Sequence, residues 1–448
     1  MNVTLADGSI IACRPEAVGS GASGTVYLTV DGKHAVKLFN AETPELRGAM
    51  DLILGPYNCV ADNDYWSGLF RWPDAVVVHP QFGVRMPAIA AGFRPLVWFL
   101  LPKLYSRLRP QEKSWFARLL AALRLARAVG RLHKTGLAHS DLSPNNIFMD
   151  PHEGRITLID IDGLVVKGFL RPQVDGTPDY IAPEVLANAA GPSTQTDLHA
   201  LAVLLHQLLL YRHPLRGPKR YSADPDEDER SSMGPNGVYI DHPTDHSNRP
   251  GKSFWSSRIL GATIQRLFER AFVSGLRDPS ARPSASEWGQ AIARLSDRVL
   301  RCMNASCAER WYAASDGHAV VCPWCGTRPQ LASGTPLLRL CRRDRDTYLP
   351  EPDWWIAAAP GRDLHLWHAE AGLEPGPNVD MTAIARIEVR NGVWSLHCLV
   401  GNRFRAVTRG AALAPAQQGE QIPLVENSVV VLGAPPHGRA MFVQYLPT

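Results

Sequence analysis

The chain has 448 residues, enough for about three domains at roughly 150 residues each. Apolar residues make up 45% and charged residues 20%, the ordinary balance of a soluble globular protein. A formal net charge of +4 gives no indication of a nucleic-acid or membrane-surface partner. No apolar run reaches the roughly 18 residues that a bilayer span needs: Leu96–Leu101 is cut by Pro102, and Ala200–Leu210 carries His206 and Gln207. Met1-Asn2-Val3-Thr4 lacks a basic region followed by an apolar core, so no signal peptide is expected and a cytoplasmic location is.

From Ile10 to Val36, β-formers alternate with turn residues around Gly19-Ser20-Gly21-Ala22-Ser23-Gly24-Thr25-Val26, a G-x-G-x-x-G-x-V pattern. Glycines there let the backbone approach a phosphate without Cβ clashes. The segment continues as a strand, Thr25–Val30, rather than opening a helix, so the dinucleotide arrangement is excluded. On the next strand, Ala35-Val36-Lys37-Leu38, alternation turns Lys37 away from Val36 and Leu38, toward the face under the glycine loop. Thr43-Pro44-Glu45 reads as a helix start. Glu45, at its first turn, is the best carboxylate for Lys37 but comes early; Glu42 and Asp51 fit worse, and the pair stays unassigned. Val84–Ile89 resembles a last small-lobe strand entering a hinge, whose backbone groups would receive an adenine.

Ser114–His133 is an amphipathic helix with Trp115, Leu119, Leu123, Ala126, Val129 and Leu132 on one stripe. It leads into His139-Ser140-Asp141-Leu142-Ser143-Pro144-Asn145-Asn146, where Asp141 and Asn146 stand five positions apart. Such a pair suits phosphoryl transfer: the Asp orients and deprotonates a hydroxyl while the Asn holds a metal ion. The run Arg155–Gly163 is then a strand ending in Asp160 and Asp162, and a short turn at Asp150–Gly154 would bring Asn146 and Asp160 together. Asp160 follows Leu158-Ile159 directly and is the preferred Mg²⁺ ligand beside Asn146; Asp162 competes for the role, but Asp162-Gly163 would open the next loop. Farther on come Asp175-Gly176-Thr177-Pro178-Asp179-Tyr180-Ile181-Ala182-Pro183-Glu184, Asp197 before a very apolar helix, and Arg282-Pro283-Ser284.

Taken in order, these motifs resemble a eukaryotic-type protein kinase domain over about residues 10–298 (small lobe 10–86, large lobe 90–298). The resemblance implies an α+β, bilobal fold and an ATP/Mg²⁺-dependent serine/threonine kinase. Gly19, Ser20, Gly21, Gly24, Val26, Lys37, Met86, Ala88, Asn146 and Asp160 would bind the nucleotide, with Asn146 and Asp160 holding Mg²⁺. Asp141 would be the base and Lys37 the phosphate partner; Glu184 and Arg282 would form a structural ion pair, and Asp197 would brace the catalytic loop. Ser140 replaces the usual arginine before the base, and between Asp160 and Glu184 only Thr177 and Tyr180 carry hydroxyls. Control by activation-loop phosphorylation is therefore not expected. Ser143 replaces the usual lysine near the γ-phosphate, which keeps a non-transferring nucleotide-binding scaffold as the alternative. His242–Pro250, with the D-x-D-G variant, is similar to bacterial kinases found beside von Willebrand factor A and PP2C phosphatase proteins in tellurium-resistance sets. The acidic run Asp224–Glu229 reads as a solvated loop.

Of the eight cysteines, Cys302, Cys307, Cys322 and Cys325 cluster as two knuckles and the rest are scattered. That spacing predicts a closed, structural Zn²⁺ site in a zinc ribbon over 299–330. Residues 331–448 read as an all-β, sandwich-like domain with strands at Leu337–Cys341, Ile384–Val389, Val393–Val400, Ser428–Gly433 and Ala440–Leu446. Its end is similar to a forkhead-associated domain; a plain β-sandwich without a phosphopeptide site is the other reading.

Overall fold

In the computed structural model, the described residues are 1–166, 176–251, 254–314, 321–328, 334–373, 382–408, 411–412, 414–434 and 436–445. Asp175 and Leu446, both in predicted motifs, lie outside them. The chain divides into two units: Met1–Glu112, Leu120–Gly251 and Glu269–Ala285 in the first, and Lys113–Leu119, Lys252–Phe268 and Ser286–Thr448 in the second.

The first unit opens with six strands, β1 (Asn2–Leu5), β2 (Ile10–Ser20), β3 (Gly24–Thr29), β4 (His34–Phe39), β5 (Ala75–His79) and β6 (Gly83–Pro87). They close a barrel in the order β1-β2-β3-β4-β6-β5, sealed where Leu5 meets Val77. The barrel therefore begins at Asn2, upstream of the predicted residue 10: Val3 and Leu5 supply an alternating inward pair that is almost fully buried. Helix α1 (Pro44–Leu54) starts as predicted, with Thr43 accepting from the Leu46 N–H at 3.1 Å.

Below the barrel, strands β7 (Arg94–Pro95), β8 (Ile147–Met149) and β9 (Ile156–Leu158) form a small sheet, and the β8–β9 hairpin carries the loop residues flanking it. Helix Thr194–Leu210 is buried along nearly its whole length, as its apolar run requires. The acidic run is a helix, Pro225–Met233, rather than a loop. Asp224 caps it, accepting from Asp226 and Glu227, and the acidic first turn complements the positive end of the helix dipole.

His206 and His213 are buried beside Tyr239 and Tyr180. His206 Nδ1 lies 2.7 Å from the Arg212 carbonyl, and His213 Nε2 lies 3.0 Å from that of Asp179. Burial pushes both imidazoles down to about 4 from the ordinary 6.5. Between these values the unfolded chain binds more protons than the folded one, so stability falls as pH drops through that window and levels off below it. By pH 5 the loss is about 2 kcal/mol per histidine. Urea denaturation at pH 7 and pH 5 should show His206→Gln losing less stability on acidification than wild type; equal losses would overturn the assignment.

In the second unit, a six-stranded and a four-stranded antiparallel sheet contribute to one core, with Leu338, Trp354, Val430 and Met441 from the former and Ile387 and Leu396 from the latter. The strands Pro336–Asp344, Ala383–Arg390, Val393–Cys398, Val429–Val431 and Ala440–Tyr445 overlap those predicted. Among the described residues, the cysteine segment shares its core with the six-stranded sheet: Cys302, Cys307, Tyr312 and Cys322 pack with Leu337 and Ala357. Helix Ala285–Asp297 ends on Asp297, which accepts from Trp354 Nε1 at 3.0 Å.

Candidate active site

A cleft of about 350 Å³ is lined by the β2–β3 turn, Lys37, and the segments around Asp141 and Asp160. The turn is tight, with the Gly21 N–H donating to the Gly24 carbonyl at 3.0 Å. Its glycines serve different ends. A Cβ on Gly24 would lie 2.3 Å from the Leu38 carbonyl oxygen, so this glycine is needed for β3 to pack on β4. Nothing stands within 4 Å of a Cβ on Gly19 or Gly21, which leaves room for a phosphate. Ser20 and Val26 line the same cleft; Met86 and Ala88, at the end of β6, are absent from that lining.

Asp141 is held at both carboxylate oxygens. Oδ1 accepts from Thr177 N at 2.8 Å and Oγ1 at 2.6 Å, and Oδ2 accepts from Asn146 Nδ2 at 2.9 Å. The loop before it is fixed by Asp197, whose carboxylate accepts from His139 N at 2.8 Å and Ser140 N at 3.2 Å. Asp197 thus braces the loop as predicted, while Ser193 caps its helix. Ser140 takes a left-handed backbone, φ 63°, and its hydroxyl donates to the Gly163 carbonyl at 3.0 Å.

The β8–β9 hairpin brings the second acidic group in. Ile159 N donates to the Asn146 carbonyl at 2.9 Å, and the next residue, Asp160, adopts φ 64°, a strained conformation for a non-glycine residue. That turn aims two carboxylates at Lys37: its Nζ lies 2.7 Å from Asp160 Oδ1 and 2.7 Å from Asp162 Oδ2. Burial works against the ammonium, but Asp162 and Asp160 outweigh it and hold Lys37 above the ordinary lysine range. Asp162 was expected to open a loop; instead it is buried against Lys37. Sequence reasoning missed this pairing, and also Thr177 on Asp141, because each joins segments far apart in the chain. Glu45, the candidate partner on α1, is exposed.

Glu184 and Arg282 form the expected ion pair, bidentate at 2.7 and 2.7 Å, with Arg282 Nη1 also donating to the Gln195 carbonyl. The Arg282 side chain is fully buried, so removing Glu184 strands a charge. Glu184→Ala should cost about 3–5 kcal/mol in urea denaturation. A loss under about 1 kcal/mol, the scale of an exposed pair, would contradict that reading.

The four clustered cysteines bring their sulfurs within 4.8 Å of one another. Cys302 and Cys325 are 3.6 Å apart, and Cys307 and Cys322 3.9 Å. A tetrahedron with Zn–S bonds of about 2.3 Å has edges of about 3.8 Å, so the donor set fits Zn²⁺, and all four thiols are free.

The glycine turn, the buried lysine and the fixed carboxylates share one cleft, and comparison with known proteins bears on its class. The protein kinase domain family matches residues 111–290, which include Asp141, Asn146, Asp160 and Glu184, so the chain carries a protein kinase domain. A probable serine/threonine-protein kinase, RTK1, of Saccharomyces cerevisiae is 24% identical over 49% of this chain and 38% of its own length. Human serine/threonine-protein kinase DCLK3 is 34% identical over 25% of this chain and 16% of its own, and CBL-interacting protein kinase 16 of Oryza sativa 40% identical over 19% and 20%. The chain spans well under half the length of the curated relatives it matches. Among the described residues, no helix is long and apolar enough to cross a membrane.

Proposed function

We propose that the chain is an ATP/Mg²⁺-dependent serine/threonine protein kinase. The observation that carries this reading is the convergence on one cleft of an open glycine turn, a buried lysine, a carboxylate fixed at both oxygens and a strained aspartate. Mg²⁺ would supply charge neutralisation at the phosphates, held by Asn146 and Asp160 through oxygen. Lys37 would pair with the phosphates, and Gly19 and Gly21 would admit them. Asp141, already oriented by Thr177 and Asn146, would take the proton from a serine or threonine hydroxyl.

Activity independent of activation-loop phosphorylation belongs to the same proposal. Ser140 offers a phosphate no cation and spends its hydroxyl on Gly163. A structural Zn²⁺ on Cys302, Cys307, Cys322 and Cys325 is supported by their spacing, and the two-sheet core supports a sandwich-like, forkhead-associated-like module that recruits protein. Partners of the von Willebrand factor A and PP2C classes, and a bacterial, cytoplasmic setting, rest on the His242–Pro250 motif and the sequence alone.

One observation favours the scaffold reading: Ser143, in the position of the usual lysine, is buried and brings no cation to the phosphates. Incubation with γ-labelled ATP, Mg²⁺ and a generic protein acceptor, followed by phosphoamino-acid analysis, separates the two. Phosphoserine or phosphothreonine that disappears with Asp141→Ala identifies the kinase; nucleotide binding without transfer identifies the scaffold.

A further inference from the structure

We propose that Asp162 is the resident counter-ion that positions Lys37, filling the place that a glutamate on the small-lobe helix holds in protein kinases. The inference rests on the phosphotransfer reading of the cleft. In kinases generally, the strand lysine and that helix glutamate must pair before the site is competent. Helix α1 supplies no such group here. Glu45 and Asp51 are exposed, and Glu42 pairs with Arg47. Among the described residues, the carboxylates bonded to Lys37 both come from the turn after β9.

The two are not equivalent. The Asp160 side chain is 47% exposed, whereas that of Asp162 is 4% exposed and that of Lys37 5%. A buried ammonium needs a permanent partner, since an unpaired charge removed from water is costly. Both carboxylates line the cleft, and the more exposed Asp160 is the one placed to exchange its ammonium for a hydrated cation. Asp162 cannot leave without stranding Lys37. The Phe39 ring, with Lys37 Nζ 5.6 Å from its centroid, closes the apolar side of the ammonium.

The D-x-D spacing gives this division of labour a local cause. Asp160 adopts φ 64°, and Ile161–Gly163 follow as one 3-10 turn with Ile161 buried. Ile161 anchors the turn, while the residues on either side of it both reach Lys37. Metal ligand and lysine partner are therefore set by one short segment. Lysine positioning does not wait for a movement of α1, which accords with a site that is not switched through that helix.

The test reads Lys37 directly and does not depend on catalysis. The full-length protein is treated briefly with acetic anhydride, and acetylation of Lys37 is quantified by mass spectrometry. Asp162→Asn should raise Lys37 acetylation about tenfold or more, because the buried Nζ loses the carboxylate that now holds it at 2.7 Å. Asp162→Glu should restore much of the protection, and Asp160→Asn should raise labelling far less. Glu45→Gln and Asp51→Asn should leave it unchanged. In parallel, the KM for ATP should rise about tenfold in Asp162→Asn with a smaller change in kcat. The inference is overturned if folded Asp162→Asn labels like wild type, or if Asp160→Asn or Glu45→Gln unmasks Lys37 as strongly. Should Asp162→Asn not fold, the comparison of Asp162→Glu, Asp160→Asn and Glu45→Gln still decides it: Asp160→Asn unmasking Lys37 about tenfold overturns the inference, and retained protection supports it. Absence of transfer by the wild type would instead refute the phosphotransfer reading and leave the labelling result standing.

Discussion

Asp141→Ala is expected to lower phosphotransfer by about two to four orders of magnitude while ATP affinity changes by no more than about threefold. The size follows from what a positioned general base contributes. Alanine is the informative replacement here. Asparagine would keep the acceptor facing Thr177, but its amide NH₂ would face the Asn146 Nδ2 donor now 2.9 Å from Asp141 Oδ2. That conflict would displace a proposed metal ligand and confound the result. Alanine removes the carboxylate and adds no donor. Asp197 still accepts from His139 and Ser140, so the loop backbone keeps its brace. Single-turnover transfer of labelled phosphate, measured beside an equilibrium ATP titration, separates chemistry from binding. Transfer at the wild-type rate would remove Asp141 from the mechanism. Loss of transfer and of ATP binding together would mean that the variant had lost the cleft itself.

The motif-bearing parts of this cleft were legible because local rules govern them. Glycine spacing marks where backbone must come close to something else, and strand alternation directs Lys37 inward. The turn between β8 and β9 could be read from residues 150–154, and it does deliver Asn146 and Asp160 to one cleft. Pairings between distant segments were not legible. Nothing near Asp162 in the chain signals that a lysine 125 positions upstream will sit on it, and a carboxylate before a glycine reads as the start of a loop. The helix Pro225–Met233 was hidden for a related reason. Its acidic residues have low apolar periodicity, and the Asp224-Pro225 start signal counts only once the chain is seen to turn there. In the second unit the cysteine spacing was plain, but its shared core was not. Leu337 and Ala357 join that core through strand pairing across a register that no short motif encodes.

Replacing Cys322 and Cys325 together by serine is expected to abolish zinc binding and to loosen the second unit around residues 300–314. Metal analysis of the wild type should give one zinc per chain, and the double variant none. The expected magnitude is large because a metal here would add to a small shared core. Structural zinc in a small module contributes roughly 10–16 kcal/mol, comparable to the whole net stability of a typical domain. Cys302, Cys307 and Cys322 pack with Tyr312, Leu300 and Leu337 whereas Cys325 is exposed, so a shared ion would tie the exposed knuckle to that cluster. Burial raises the Cys322 thiol well above its ordinary value, whereas the Thr327 hydroxyl, 3.2 Å from Cys325 Sγ, brings that thiol down to about 6. A metal would remove this disparity by holding both as thiolates. Cys341→Ser and Cys398→Ser serve as controls: these cysteines are buried in the same unit but lie outside the cluster, and should keep full zinc. Limited proteolysis should open cleavage sites between 300 and 314 in the double variant and leave the controls intact. Full zinc content in the double variant would refute the site. A metal-stripped protein with an unchanged melting profile would show that the thiol cluster packs without its ion.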